Sequence, residues 1–180
     1  MKSVLISIQP KWCELIASGK KTVEVRKTRP KLETPFKCYI YCTQQRVNGE
    51  ILLTHDKKVE GRNRGFRDDG DIPLAGKVIG EFVCDEIYDC RDVNMDDTCI
   101  TVEEWLHYTR GHKGVVYGWH ISNLVIYNEP RELHHFFKPC GECDKKDTKR
   151  CTEEISYCRA KVITRPPQSW CYVEERSEGK

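Results

Sequence analysis

The stretch Ser18-Gly-Lys-Lys-Thr-Val-Glu-Val-Arg-Lys-Thr-Arg-Pro30 decides how the chain is read. Val23 and Val25 alternate with Thr22, Glu24 and Arg26. That period of two predicts a half-buried strand over Lys21–Lys27. Successive strand side chains point to opposite faces, so the valines go to a core and Thr22, Glu24 and Arg26 share the polar side. Glu24 and Arg26 then stand about 7 Å apart along the strand, close enough for their tips to meet. Lys21 lies at the strand's entry, where its ammonium can swing over the polar face. Two cations around one acid form either a solvated ion pair worth little or a grip on a polar ligand. The arginine fork matches a phosphate or a base edge, and the carboxylate accepts from exocyclic amines.

Upstream, Ser3–Ile8 is a short β-type run. Pro10 fits the first position of a helix and Gly19 its C-terminal cap. Between them Trp12, Leu15 and Ile16 recur at helical spacing, so Pro10–Ser18 is a short amphipathic helix. Downstream, Phe36–Cys42 reads as an apolar strand. Thr43–Ala75 is polar and glycine-punctuated, a long loop around a weak hairpin at Glu50–His55. Lys77–Ile87 is the strongest strand pattern, with Gly76 and Gly80 as bend or bulge positions. Thr101-Val-Glu-Glu104 offers a capping box for a helix through Tyr108. Gly114–Tyr127 is a long β stretch, Pro130–Phe137 a helical turn, Ser169–Val173 a last short strand, and the charged tail frays. Six or so strands, two or three short helices and no βαβ rhythm predict an α+β fold. Its expected form is a small mixed β-barrel flanked by short helices rather than a parallel sheet.

The 180 residues, 38% of them apolar, suit a single domain over 1–180. Charged residues make up 32% and sum to only +2. Their distribution is uneven: the first 40 residues hold nine Lys/Arg against three Glu, or +6, which leaves −4 for the rest. That local excess favours an anionic partner, nucleic acid first, over a merely solvated surface. No apolar run approaches a membrane span, and the N-terminus turns polar too soon for a signal peptide. A cytoplasmic protein is expected. Of eleven cysteines, Cys13, Cys38, Cys42, Cys84, Cys90, Cys99 and Cys171 are scattered and read mostly as buried thiols. An odd total without an export signal argues against a disulfide framework.

The other four, Cys140, Cys143, Cys151 and Cys158, form C-x2-C-x7-C-x6-C within a basic segment over 138–162. The first pair has the chelating spacing of four-cysteine zinc sites. Four thiolates on Zn²⁺ carry a net −2 that the surrounding lysines and arginines offset. The segment has too little apolar material to fold alone, and a metal supplies the missing free energy. With every position filled by protein, the Zn²⁺ is structural. An iron–sulfur cluster and free thiols or disulfides remain alternatives, and His134 or His135 could replace one cysteine.

Gly19-x-Lys21-x-x-Glu24-x-Arg26, following a strand, a Gln-Pro turn and a short helix, resembles the signature of the ASCH (activating-signal-cointegrator homology) domain, a relative of the PUA barrel. The likeness includes Leu5-Ile-Ser-Ile-Gln-Pro10, Gly76-Lys-Val-Ile-Gly-Glu-Phe82, Gly118-Trp-His-Ile121 and the strand near Trp170. The resemblance implies a small β-barrel with a cleft lined by Lys21, Glu24 and Arg26, and RNA or a modified nucleoside as ligand. Trp119 and Trp170 are added as stacking surfaces, each with core packing as its alternative. Some ASCH-like proteins are amidohydrolases acting on N4-acetylcytidine, which would make Lys21 catalytic. Their machinery pairs the lysine with a threonine three residues later and with a glutamate from a later strand, here Glu81 or Glu86. Glu24 stands where the threonine would be, and a neighbouring carboxylate favours the charged, non-nucleophilic form of an amine. A ribonuclease has also been suggested for such relatives, though no histidine pair supports it here. Binding ranks first, an enzyme second, and a protein-interaction adaptor using the cysteine segment third.

Overall fold

The computed structural model describes residues 2–47, 50–52, 74–92, 94–139 and 162–175. The first strand, β1 (Ser3–Ile8), is buried along its whole length. Helix α1 (Pro10–Ala17) follows, with Pro10 at its start. Its last turn closes through Gly19, at φ 72°, a left-handed position that costs glycine nothing. The chain then enters β2 (Val23–Arg26) and β3 (Phe36–Cys42). A hairpin of β4 (Gln45–Val47) and β5 (Glu50–Leu52) precedes β6 (Val78–Cys84) and β7 (Ile87–Asp89). Two helices come next, α2 (Met95–Thr98) and α3 (Val102–Thr109), the second with the expected Thr101–Glu104 capping box complete. The strands β8 (Tyr117–His120), β9 (Ser122–Arg131), β10 (Phe136–Phe137) and β11 (Trp170–Glu175) complete the order.

Six strands form one sheet in the order β10-β11-β1-β3-β6-β9, and three form another in the order β2-β8-β7. Together they make a mixed half-barrel with few helices, an α+β arrangement. β1 and β3 run parallel, joined by a crossover through α1 and β2, while their neighbours are antiparallel. The large sheet is covered on both faces. Val4, Ile6 and Ile8 join Cys38, Ile40, Phe82 and Trp119 in one core, and Leu5 joins Tyr39, Tyr41, Phe136 and Val173 in the other. Two covered faces explain why Val4, Leu5 and Ile6 of β1 are apolar in succession rather than alternating with polar residues.

Gly80 sits where the β6–β9 register shifts. A Cβ there would lie 2.4 Å from the Val125 carbonyl oxygen, so the bulge needs glycine. The expected turn at Pro130–Phe137 is only partly helical. β9 runs on through Pro130 to Arg131, and the helical part shrinks to a 3-10 turn at Leu133–His135. β9 is an edge strand, and an edge tolerates a residue that cannot donate to the ladder.

Cys13, Cys38, Cys42, Cys84 and Cys90 are buried free thiols, and Cys99 and Cys171 are half-buried ones. Burial pushes Cys13 and Cys38 well above the ordinary thiol value and Cys84 up to about 12, so these sulfurs act as small hydrophobes. Cys140, Cys143, Cys151 and Cys158 lie outside the described residues. Among the described residues no group of three or more His, Cys, Asp or Glu could hold a metal ion. Nor is any helix among them long and apolar enough to cross a membrane.

Candidate functional site

Three chain segments meet around β2. The turn after α1 is fixed by Lys20 and Lys21 amides donating to the Leu15 carbonyl. The Thr22 amide then donates to Asp97 of α2 at 3.0 Å. This delivers Lys21 to the interior. Its side chain does not swing over a polar face, as the sequence suggested, but is 2% exposed. The ammonium donates to the Thr98 carbonyl at 2.6 Å, near the end of α2, where helix carbonyls lack intrahelical partners. It also lies 3.5 Å from Glu24 Oε2 and 5.0 Å from the centre of the Trp12 ring.

Glu24 is buried, and its Oε1 sits 2.9 Å from Arg26 Nη2. The same Nη2 donates to the Ser7 carbonyl at 2.6 Å, and Nη1 reaches Ser169 Oγ at 3.4 Å. Arg26 thereby ties β2 to the end of β1 and to the residue before β11. Its Nε is buried with no hydrogen-bond partner among the described residues, a donor that a native site normally satisfies.

These groups line a hollow of about 310 Å³. Lys21, Glu24 and Arg26 contribute its charged inner wall, Trp12 of α1 and Tyr108 of α3 its aromatic surface, and Glu104 a further carboxylate. Glu104 and Lys11 form an ion pair that links α3 to α1. The Lys11 ammonium, with the Thr101 amide, holds the Glu104 carboxyl below its ordinary value. Burial raises the Tyr108 phenol, so the ring enters the site as a neutral hydroxyl.

The family profile of the ASCH domain matches residues 6–140, three-quarters of the chain. The chain belongs to the ASCH domain family. Its fold is similar to that of the crystal structure of ASCH from Zymomonas mobilis, at 18% identity and a TM-score of 0.55, over 96% of this chain and 87% of that one. A tyrosine-to-phenylalanine variant of the Zymomonas mobilis protein matches at 18% identity and a TM-score of 0.56, over 97% and 91%. At that identity the likeness shows the fold, and it supports the PUA-like α+β reading. No curated protein matches the sequence.

The ASCH signature residues Lys21, Glu24 and Arg26 thus come together, as their spacing suggested. The two tryptophans do not join them. Trp119 is fully buried, edge-on to Phe36 and tilted against Trp170, each with ring centres 5.9 Å apart. Trp170 donates through Nε1 to Thr28 Oγ1 at 2.9 Å. Neither lines the hollow, and neither do Glu81 and Glu86. The aromatic surfaces there are Trp12, read only as a helix-core position, and Tyr108, read only as a helix end. The proximity of α1 to the signature could have flagged Trp12. No local signal marks Tyr108 or Glu104, because α3 reaches the hollow only through the tertiary fold.

Proposed function

We propose that this ASCH domain binds RNA or a modified nucleoside in the hollow walled by Lys21, Glu24 and Arg26. The observation that carries the reading is the convergence of these three side chains, two of them buried, on one concavity of about 310 Å³. That volume is at the lower end of ligand sites, which run from about 300 to 1,000 Å³. It suits one base or nucleoside. Glu24 retains lone pairs for an amine donor, and the orphan Arg26 Nε lacks an acceptor. Single-stranded RNA is read in this manner, through bases splayed into pockets.

An enzyme reading, with Lys21 acting on an N4-acetylcytidine-type nucleoside, has less support. The amine is already engaged by the Thr98 carbonyl and by Glu24. For a ribonuclease, no histidine among the described residues lines the hollow. For the segment 138–162 we propose structural Zn²⁺ held by Cys140, Cys143, Cys151 and Cys158, on the strength of their spacing alone. An adaptor role gains nothing from the described residues. The seven free thiols favour a reducing, cytoplasmic setting.

The test is fluorescence anisotropy with a labelled single-stranded oligoribonucleotide of mixed sequence, alongside calorimetry with free nucleosides, both at low salt. Arg26→Ala is expected to weaken binding by about tenfold or more, the loss of a hydrogen-bonded charge. If the wild-type protein takes up neither the oligomer nor any nucleoside, the reading is wrong.

A further inference from the structure

The charge balance of the hollow bears on which part of a nucleotide it accepts. Among the described residues its charged lining is Lys21, Arg26, Glu24 and Glu104. They sum to zero, and each is already paired. Lys21 and Arg26 share Glu24, and Glu104 holds Lys11. A phosphate entering this space would leave water for a site whose two cations, among the described residues, already share one carboxylate, with only the Arg26 Nε–H unpartnered. It would also meet two carboxylates, and a desolvated charge without a partner is costly. An uncharged ring incurs no such penalty.

The depth of the charges points the same way. The side chains of Lys21 and Glu24 are 1% and 7% exposed, whereas those of Lys11 and Glu104 are 27% and 35% exposed. Of the lining carboxylates, Glu24 therefore lies deep and Glu104 nearer the solvent. Trp12 and Tyr108 line the same hollow. Cations stand near both rings, Lys11 at 4.5 Å from the Trp12 centre and Lys27 at 4.8 Å from the Tyr108 centre. Neither cation lines the hollow, and Lys11 is already held by Glu104.

We infer that the hollow selects an uncharged planar ring, taken against Trp12 and Tyr108, and keeps phosphate outside. This rests on the nucleoside-or-RNA reading above and names the selecting residues, neither of which belongs to the signature. The stacking contribution of an aromatic wall is sequence-tolerant. Discrimination among bases therefore falls to Glu24, and discrimination against charge to the neutral lining.

The experiment is calorimetric titration of the full chain with the four ribonucleosides, their 5′-monophosphates and a short oligoribonucleotide, across a range of salt. The expected result is that a nucleoside binds and its monophosphate binds no more than about threefold tighter, with almost no salt dependence, since each phosphate contact would contribute a log–log slope of about −0.7. Trp12→Leu and Tyr108→Leu are expected to weaken that nucleoside by about tenfold, and Tyr108→Phe to restore it. Melting temperatures separate lost binding from lost folding. Three results overturn the inference while leaving RNA recognition standing. They are a monophosphate bound tenfold or more tighter than its nucleoside, unchanged affinity in folded leucine variants, and an oligomer that binds where no nucleoside does. If nothing binds at all, the underlying reading falls with it.

Discussion

Arg26 Nη2 lies 2.9 Å from Glu24 Oε1, two residues apart on one strand, and both groups face inward. On a surface strand this pair would contribute little. Here the carboxylate is 6% exposed, and a second cation, Lys21, is more deeply buried still. The three side chains are mutually dependent, because each charge left water on condition that the others were present.

Glu24→Gln tests that dependence. Removing the carboxylate leaves Lys21 and Arg26 facing each other without their shared anion. Breaking a buried ionic group from one side costs about 3–5 kcal/mol. Urea unfolding of the variant is expected to show a loss of this order, with an unchanged slope. A loss below about 1 kcal/mol would mean that water still screens the cluster.

The cysteine segment predicts a metal. Protein purified without chelator should contain about one zinc per chain by elemental analysis, and Cys143→Ser should lower that figure. Iron with visible absorbance would replace zinc by a cluster. Metal-free protein with all eleven thiols titratable would remove the site altogether.

Much of the fold was legible because its signals are local. Pro10 and Gly19 bracket α1, Thr101 and Glu104 cap α3, and the alternation in Val23–Arg26 marks β2. The signature also placed Lys21, Glu24 and Arg26 together. What the sequence did not reveal depends on distant partners. Lys21 is buried because Thr98, 77 positions on, offers a carbonyl. α2 is four residues long, too short for any periodicity, and is held by the Asn94 cap. Trp119 looked available for stacking, yet its side chain is claimed by Phe36 and Trp170.

Gly80→Ala addresses the bulge that sets the β6–β9 register. The added methyl would meet the Val125 carbonyl at 2.4 Å and Ile126 Cδ1 at 3.1 Å. The side chain can rotate away, but the carbonyl belongs to the adjoining strand and cannot move without disturbing the ladder. Overpacking of this kind costs about 1–3 kcal/mol. Chemical denaturation should show that loss, with no direct effect on ligand affinity, because Gly80 does not line the hollow.

Glu81 predicts the acid response of the sheet's outer network. Burial alone would raise its carboxyl. The hydrogen bonds from Lys37, at 2.7 Å, and the Tyr127 hydroxyl, at 2.5 Å, outweigh burial and hold it below the ordinary value of 4.5. A carboxyl depressed in the folded state stabilises the protein fully above its unfolded value, and that contribution is lost as pH falls through the folded value. The loss therefore begins near pH 4.5 and continues below it. Tyr127 moves oppositely: burial first, and then its bond to Glu81, raise the phenol, so it stays a donor throughout this range. Glu81→Gln should be less stable than wild type near neutrality, and the gap should narrow as pH drops below 4.5. Glu104 and Asp85 are also held below their ordinary values, so the wild-type curve alone would not isolate Glu81, and the comparison with Glu81→Gln is what does. Urea midpoints collected between about pH 3 and pH 7 decide the matter, and two curves that stay parallel through the acid limb would show that Lys37 and Tyr127 leave Glu81 untouched.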